Sequence, residues 1–465
     1  MSANEPVQSP VATPHPRRWQ ALGLLGAAQF MLIVDITVVA ISLPHMGADL
    51  GLDREQLTWV MSAYTLAFGG LMLSGGRAAD VFGPRRLVMA GLTVFTLASL
   101  VSGLAEDPTT LLVGRVAQGV GAAMLSPAAL SSVVRLFEGE ERNRALGIWS
   151  ALGGTGAAVG VLAGGVLTAG PGWEWVFFVN VPVGVVILVV LARVLPPLPA
   201  AAQRTRPDVL GAVLVTAATG SAIYALIGAG DEGWGSARTL GFLGVAVVLY
   251  LLFGVWQRIT SAPLMDLGLL VRRPVASGTF VILVATALMV GIFFLGSFFL
   301  QHREGHSALV TGLLFLPVAL ATMAGATTAG RMIGAAGGRR IAVVGNAVAT
   351  AGFVVPTLWD GTVAMVVGLS VAAAGIGTLF VVASATALGQ VAPEESGLAS
   401  GIVSTFHEFG ASIGAPVFSS VAAASLTGAA TGGFTDAFVV AAAVAVGSAL
   451  VAVVLIPPRP VETGI

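Results

Sequence analysis

The sequence predicts an all-α membrane protein of fourteen transmembrane helices, two six-helix bundles with two further helices inserted between them. Three observations carry this: apolar runs that succeed one another along the chain, arginines that collect in every second loop, and a loop that recurs 254 residues further on.

The 465 residues are 56% hydrophobic and 10% charged, with mean hydropathy +0.93. Soluble domains carry about a quarter charged residues, so no soluble core accounts for this composition. Apolar runs near the ~20 residues needed to cross ~30 Å of hydrocarbon fall at 19–44, 56–75, 87–104, 109–134, 145–168, 175–194 and 209–228. A second set falls at 239–256, 275–300, 308–330, 341–358, 362–390, 398–426 and 437–455. None alternates polar and apolar residues in the segments of about 10 that mark a membrane β-barrel.

All 22 basic residues are arginines. Eighteen fall in loops on one side, only Arg54, Arg238 and Arg303 on the other, and Arg115 lies inside a run. Basic loops stay in the cytoplasm, so the richer side is expected to be cytoplasmic, with both termini. The first 18 residues are polar and proline-rich and read as a disordered tail without a signal-peptide core.

The loop Gly76-Arg77-Ala-Ala-Asp80-Val-Phe-Gly83-Pro84-Arg85-Arg86 has its echo in Gly330-Arg331-Met-Ile-Gly334-Ala-Ala-Gly337-Gly338-Arg339-Arg340. Repeated halves related about an axis along the membrane normal are a transporter architecture, with the binding site between them. The expected division is a tail (1–18), a six-helix bundle (19–200), two inserted helices (201–260), a second bundle (261–458) and a tail (459–465).

Ionisable groups are costly at membrane depth and mark pathways for ions, protons or substrate. Asp35 is one, about 24 Å along its helix, and Arg115 enters from the opposite face to a similar depth. Such a pair satisfies either a structural ion pair or a moving, functional one. Glu408 lies near the midplane of the thirteenth run. His407 points about 100° away from it, so only one of the two is expected to line a cavity, and Glu408 is preferred. Trp59, Tyr64 and Phe68 form a stripe that suits a substrate cavity, the bundle core or lipid.

Five stretches together resemble the major facilitator superfamily, and within it the fourteen-helix drug:proton antiporters of the EmrB/QacA type. They are Asp35-Ile-Thr37-Val-Val-Ala-Ile-Ser-Leu-Pro44, the Gly76 to Arg86 loop, Gly114-Arg115-Val-Ala-Gln118-Gly119-Val-Gly121-Ala-Ala123, Gly156-x-x-x-Gly160 with Gly164-Gly165, and Trp173-Glu174-Trp175-Val-Phe177-Phe178-Val-Asn180-Val-Pro182-Val-Gly184. The chain departs from that pattern at Val81 and Pro84, where basic residues are usual, and at Val161, where the fifth-helix motif has proline.

The resemblance implies proton coupling through Asp35 and Arg115 and a conformational latch built on Gly76, Asp80, Gly83 and Arg85, with helix packing through Gly156, Gly160, Gly164 and Gly165. Glu408 joins the coupling groups by its depth in the membrane alone, at a position where the family more often has other polar residues, and Trp59, Tyr64, Phe68 and His407 are candidates for a substrate cavity by their place on the helices. A proton carrier has to part from its counter-charge, so Asp35 and Arg115 are expected to separate in one access state. The expected activity is proton-coupled efflux of small amphipathic or cationic compounds across a bacterial inner membrane, by a monomer. The alternative is a dedicated exporter of one endogenous metabolite, antibiotic or lipid precursor.

No enzyme, metal or cofactor is expected. There are five histidines and no cysteine, and no phosphate-binding Gly-x-x-x-x-Gly-Lys loop in a chain without lysine. A net charge of −1 without a basic arm excludes a nucleic-acid partner.

Overall fold

The computed structural model describes residues 16–197, 208–389, 391, 395–426 and 432–456. The expected tails, but for residues 16–18, lie outside them, as do the boundary near residue 200 and Arg204, Arg206 and Arg459.

The described residues are helical and contain no strand. In order they form α1 (Arg18–Leu50), α2 (Arg54–Phe82), α3 (Pro84–Gly103), α4 (Pro108–Leu136), α5 (Gly139–Ala169), α6 (Trp175–Phe178), α7 (Asn180–Val194), α8 (Val209–Glu232) and α9 (Ala237–Ile259). Then come α10 (Leu267–Leu270), α11 (Arg273–Phe298), a π-helical turn (Phe299–Arg303), α12 (Ala308–Leu314), α13 (Leu316–Ala336), α14 (Gly338–Leu358), α15 (Thr362–Leu388), α16 (Ser396–Val421), α17 (Ala423–Leu426) and α18 (Gly433–Leu455). Among the described residues, twelve spans are long and apolar enough to cross a membrane. They include α6 with α7, α11 with the π turn, and α12 with α13. Two other helices, α5 and α16, run for 31 and 26 residues.

Helix ends follow from local chemistry. Asp53 and Gln56 cap α2 reciprocally, each side chain accepting the other's backbone N–H at 2.7 and 3.0 Å. The apolar runs mark these helices but not their full reach, because polar turns continue past the hydrocarbon: the run at 19–44 lies inside a helix ending at Leu50.

The 254-residue offset is a structural register. Gly83 and Gly337 take the same left-sided conformation, φ +91° and +81°, between successive helices. Arg18 grips Glu141 at 2.9 Å, and 254 residues on Arg272 grips Glu395 at 2.6 Å. Gly156 and Gly160 of α5 abut Ile33 and Thr37 of α1, and their counterparts Gly410 and Gly414 of α16 abut Leu283 and Ala287 of α11.

Two seams join the α1–α7 group to the α11–α18 group at the arginine-poor end. In one, Arg54 Nη1 and Thr58 Oγ1 of α2 donate to Ser419 Oγ of α16 at 3.0 and 2.8 Å. In the other, a Cβ on Gly165 of α5 would lie 2.8 Å from the Ala308 carbonyl oxygen and 3.4 Å from Gly312 Cα, so backbones touch directly. Residues 54, 58 and 165 stand 254 before 308, 312 and 419: one interface is built twice, once polar and once glycine-tight. Between the seams, Gln301 Nε2 of the π turn donates to the Ile41 carbonyl of α1 at 2.9 Å.

Helices α8 and α9 pair with each other and lie against α2 and α16. Asp208 fastens one end of the pair, accepting from Trp256 Nε1 and Gln257 Nε2 at 2.7 Å each. Arg238 fastens the other, bridging Glu232 and the Tyr224 hydroxyl.

Candidate functional site

Asp35 sits midway along α1, and its carboxylate is 0% exposed. Arg115 Nη1 of α4 donates to Oδ2 at 2.6 Å. Oδ1 accepts from Gln118 Nε2 at 3.1 Å and Asn180 Nδ2 at 3.2 Å. The similar depths read from sequence thus become a direct ion pair, and α7 contributes a third donor.

Arg115 is held as firmly as its partner. Its Nε donates to the Val60 carbonyl at 2.9 Å and its Nη1 also to Gln118 Oε1 at 3.0 Å. The guanidinium lies 4.5 Å from the Tyr64 ring centre and 5.9 Å from that of Phe177, a cation–π sandwich that compensates for lost water. Gln118 Nε2 also donates to Ser99 Oγ of α3 at 2.8 Å. Six helices, α1, α2, α3, α4, α6 and α7, therefore converge on one cluster, and every donor aimed at Asp35 suits an ionised carboxylate. Oδ1 accepts two bonds and Oδ2 one, so the carboxylate is tied directly to α4 through Arg115 and Gln118 and to α7 through Asn180.

Gln118 and Asn180 were quoted in the sequence motifs without a role. The signal for Gln118 was its i+3 spacing from Arg115, which puts both on one helix face. For Asn180 it was a carboxamide inside an apolar run, a polar group that needs a partner.

Glu408 lies apart from this cluster. It is 6% exposed on α16 and faces α2 at Gly69, where a Cβ would meet Glu408 Cβ at 2.7 Å. Its Oε2 is buried without a hydrogen-bond partner among the described residues. His407 turns the other way, as the 100° step requires, with Nδ1 3.0 Å from Thr286 Oγ1 of α11.

The aromatic stripe divides. Tyr64 and Phe68 are buried together, ring centres 5.9 Å apart, with Tyr64 covering Arg115, while Trp59 is half-buried. At the arginine-rich end, Asp80 meets Arg135 of α4 at 3.2 Å. Arg85 Nη2 donates to the Ala192 carbonyl at the end of α7 at 2.6 Å. Gly76 leaves room beside Pro127, and Gly83 makes the turn into α3. Position 334, the counterpart of Asp80, and position 389, the counterpart of Arg135, are both glycine, so this ion pair exists in one group only. Of the motif glycines, Gly156, Gly160 and Gly164 pack on α1, and Gly165 packs across the seam.

Comparison with known proteins bears on the family and the fold. The family model described as Major Facilitator Superfamily matches residues 25–332. The chain is 37% identical over 424 residues to puromycin resistance protein pur8 of Streptomyces alboniger, covering 88% of this chain and 83% of that protein. It is 36% identical over 405 residues to cephamycin export protein CmcT of Amycolatopsis lactamdurans, covering 85% and 83%. It is 32% identical over 403 residues to multidrug resistance protein Stp of Mycobacterium tuberculosis, covering 85% and 75%. Among solved structures, an inward-facing, occupied bacterial homologue of the human lysosomal transporter Spinster superposes with TM-score 0.69 at 15% identity, covering 95% and 97% of the two chains. At that identity the likeness concerns the fold.

Proposed function

This chain belongs to the major facilitator superfamily, a family of transporters, and on that premise we propose that it exports small amphipathic or cationic organic compounds in exchange for protons. The observation that carries the proposal is the buried Asp35–Arg115 pair, 2.6 Å apart halfway along α1. A buried ion pair is a poor stabiliser, and one whose partners sit on different helices suits a switch, because protonating the acid removes the attraction between them. Relatives named for resistance to or export of puromycin, cephamycin and several drugs support export as the direction.

In this reading α5 and α16 join the twelve apolar spans to make fourteen, α8 and α9 are the inserted pair, and the arginine-rich end faces the cytoplasm. Closed seams at the other end then describe an inward-facing state, in which Asp35 has released its proton and Arg115 has taken its place. Substrate taken from the cytoplasm carries the halves to the outward-facing state; there a proton from outside binds Asp35 and frees Arg115, and the protonated carrier rocks back to release it inside. Glu408, whose buried Oε2 has no hydrogen-bond partner among the described residues, is the second proton-coupling group. Asp80, Gly76, Gly83 and Arg85 form the latch of the opposite state.

Proteoliposomes with an imposed pH gradient and a lipophilic cationic dye test this. Dye movement that follows the gradient in wild type and not in Asp35→Asn is the expected result. A wild type that ignores the gradient for every dye rules out exchange. Resistance conferred on a sensitive host against one compound alone, instead of several, favours the dedicated exporter.

A further inference from the structure

We propose that membrane-dissolved amphipathic compounds reach the interior sideways, between α5 and α13 in the arginine-rich half, and that α8 closes the equivalent route between α2 and α16. The nature of the traveller rests on the export reading above; the route rests on the two seams.

The seams are built from equivalent residues, so their differences can be read position by position. Ile148 of α5 and Ile402 of α16 are counterparts, yet Ile148 is 45% exposed and Ile402 is 0% exposed. A Cβ on Gly147 would meet no described atom within 4 Å, whereas one on Gly401 would meet Leu73 of α2 at 3.2 Å. On the facing helices, Leu320 of α13 is 59% exposed, while its counterpart Leu66 lies 3.4 Å from the Cβ position of Gly220 on α8.

The cause is α8 and the segment that follows α9. Thr216 of α8 lies over Gly70, where a Cβ would come within 2.2 Å of its Oγ1. Gly70's counterpart Ala324 is exposed. Phe409 packs with Ala212 and Val215 of α8, and Ile402 with Met265 and Leu269. Arg77 of α2 donates to the Pro263 carbonyl at 3.2 Å, closing the same seam at its arginine-rich end. On the other side, tight backbone contact is found at the arginine-poor end, at Val161, Gly165 and Gly312.

The open seam also has suitable chemistry. Ile148, Val159 and Leu320 offer apolar surface, and apolar contact is what a membrane-dissolved body gains on entry. Thr327 and Thr328 donate to the Met323 and Ala324 carbonyls at 2.7 and 2.8 Å. Neither of these two hydroxyls is left bare to acyl chains, and each oxygen can still accept from an amine or amide.

The chain has no cysteine, so single cysteines can carry a bimane fluorophore without interference. Ile148→Cys and Thr327→Cys report the open seam; Ile402→Cys and Leu73→Cys report the closed one, two positions each in case one variant fails to fold. In phosphatidylcholine bilayers with brominated acyl chains, quenching several-fold stronger at 148 and 327 than at 402 and 73 is expected. Equal quenching in both seams, or quenching at 148 by aqueous iodide alone, overturns the route. A bulky maleimide attached to the Ile148→Cys variant is expected to stop dye export that the same label on Leu97→Cys of the lipid face leaves intact; normal export by fully labelled Ile148→Cys also overturns it. Lipid quenching at 148 in a protein that exports no dye would sink the export reading and leave the sideways opening standing.

Discussion

The Asn180 carboxamide donates to Asp35 Oδ1 at 3.2 Å, joining the start of α7 to the middle of α1 through a carboxylate whose other oxygen is held by Arg115. A rigid cluster of this kind converts a change in charge into a change in helix position. Replacing Asn180 by alanine removes one of three donors, at a cost of about 1–3 kcal/mol. The expected outcome is a folded protein whose dye export responds less steeply to the pH gradient, measured in proteoliposomes beside Asn180→Gln, which retains a donor. An unchanged gradient response in Asn180→Ala would make this bond purely structural.

Arg115 and Asp35 should be thermodynamically coupled. Removing one member of a buried pair strands the other charge and costs about 3–5 kcal/mol, whereas removing both does not. Arg115→Ala is therefore expected to lower the thermal midpoint in detergent well below that of Arg115→Ala/Asp35→Ala. A double variant no more stable than the single one would mean that the charges are not mutually dependent.

Twelve of the fourteen expected spans, and the similar depths of Asp35 and Arg115, were legible because a bilayer admits few solutions: apolar runs near ~20 residues, charges turned inward. Depth along a helix can be counted, so similar depths for Asp35 and Arg115 followed from sequence, but rotation about the helix axis cannot. The stripe of Trp59, Tyr64 and Phe68 therefore suited cavity, core or lipid alike, and only the structure shows Tyr64 buried over Arg115 and Asn180 turned toward Asp35. The loop echo gave the 254-residue offset. The pairing of Arg54 with Ala308 across two seams needed the structure, because one is a buried guanidinium and the other a methyl group, and nothing in their types suggests equivalence.

Asp208, at the start of α8, sets a pH limit on the α8–α9 pair. Burial alone raises its carboxyl, but donation from Trp256, the Gly211 N–H and Gln257 outweighs burial and leaves it below the usual carboxylate value. A lowered folded value means that the stabilisation is complete above about pH 4 and is lost as pH falls through the folded value. The thermal midpoint of wild type is expected to exceed that of Asp208→Asn at neutral pH and to converge on it on acidification. A gap that widens in acid would show that the carboxylate is not what fastens the pair.

Arg54 fastens the polar seam, and its charge has one near counter-ion. Its side chain is 5% exposed; Nη2 reaches Asp231 Oδ2 at 2.5 Å and the Ile227 carbonyl at 2.7 Å, and Nη1 reaches Ser419. Asp231 is 54% exposed, and by its own surface position such a pair would contribute about 0–1 kcal/mol. The buried partner changes the expectation: without Asp231 the guanidinium keeps its bonds to Ser419 and the Ile227 carbonyl but loses the two that Asp231 accepts, and its charge balance with them, and the closed arrangement is disfavoured relative to one that lets water reach Arg54. Asp231→Ala is thus expected to loosen the arginine-poor end and Asp231→Glu to restore it. Water-soluble maleimide applied from that side should label a cysteine at Val161, in the opposite seam, faster in Asp231→Ala than in wild type, because the two seams open together when the halves rock. Labelling unchanged by Asp231→Ala would make Arg54 a local anchor for α8 with no hold on the gate.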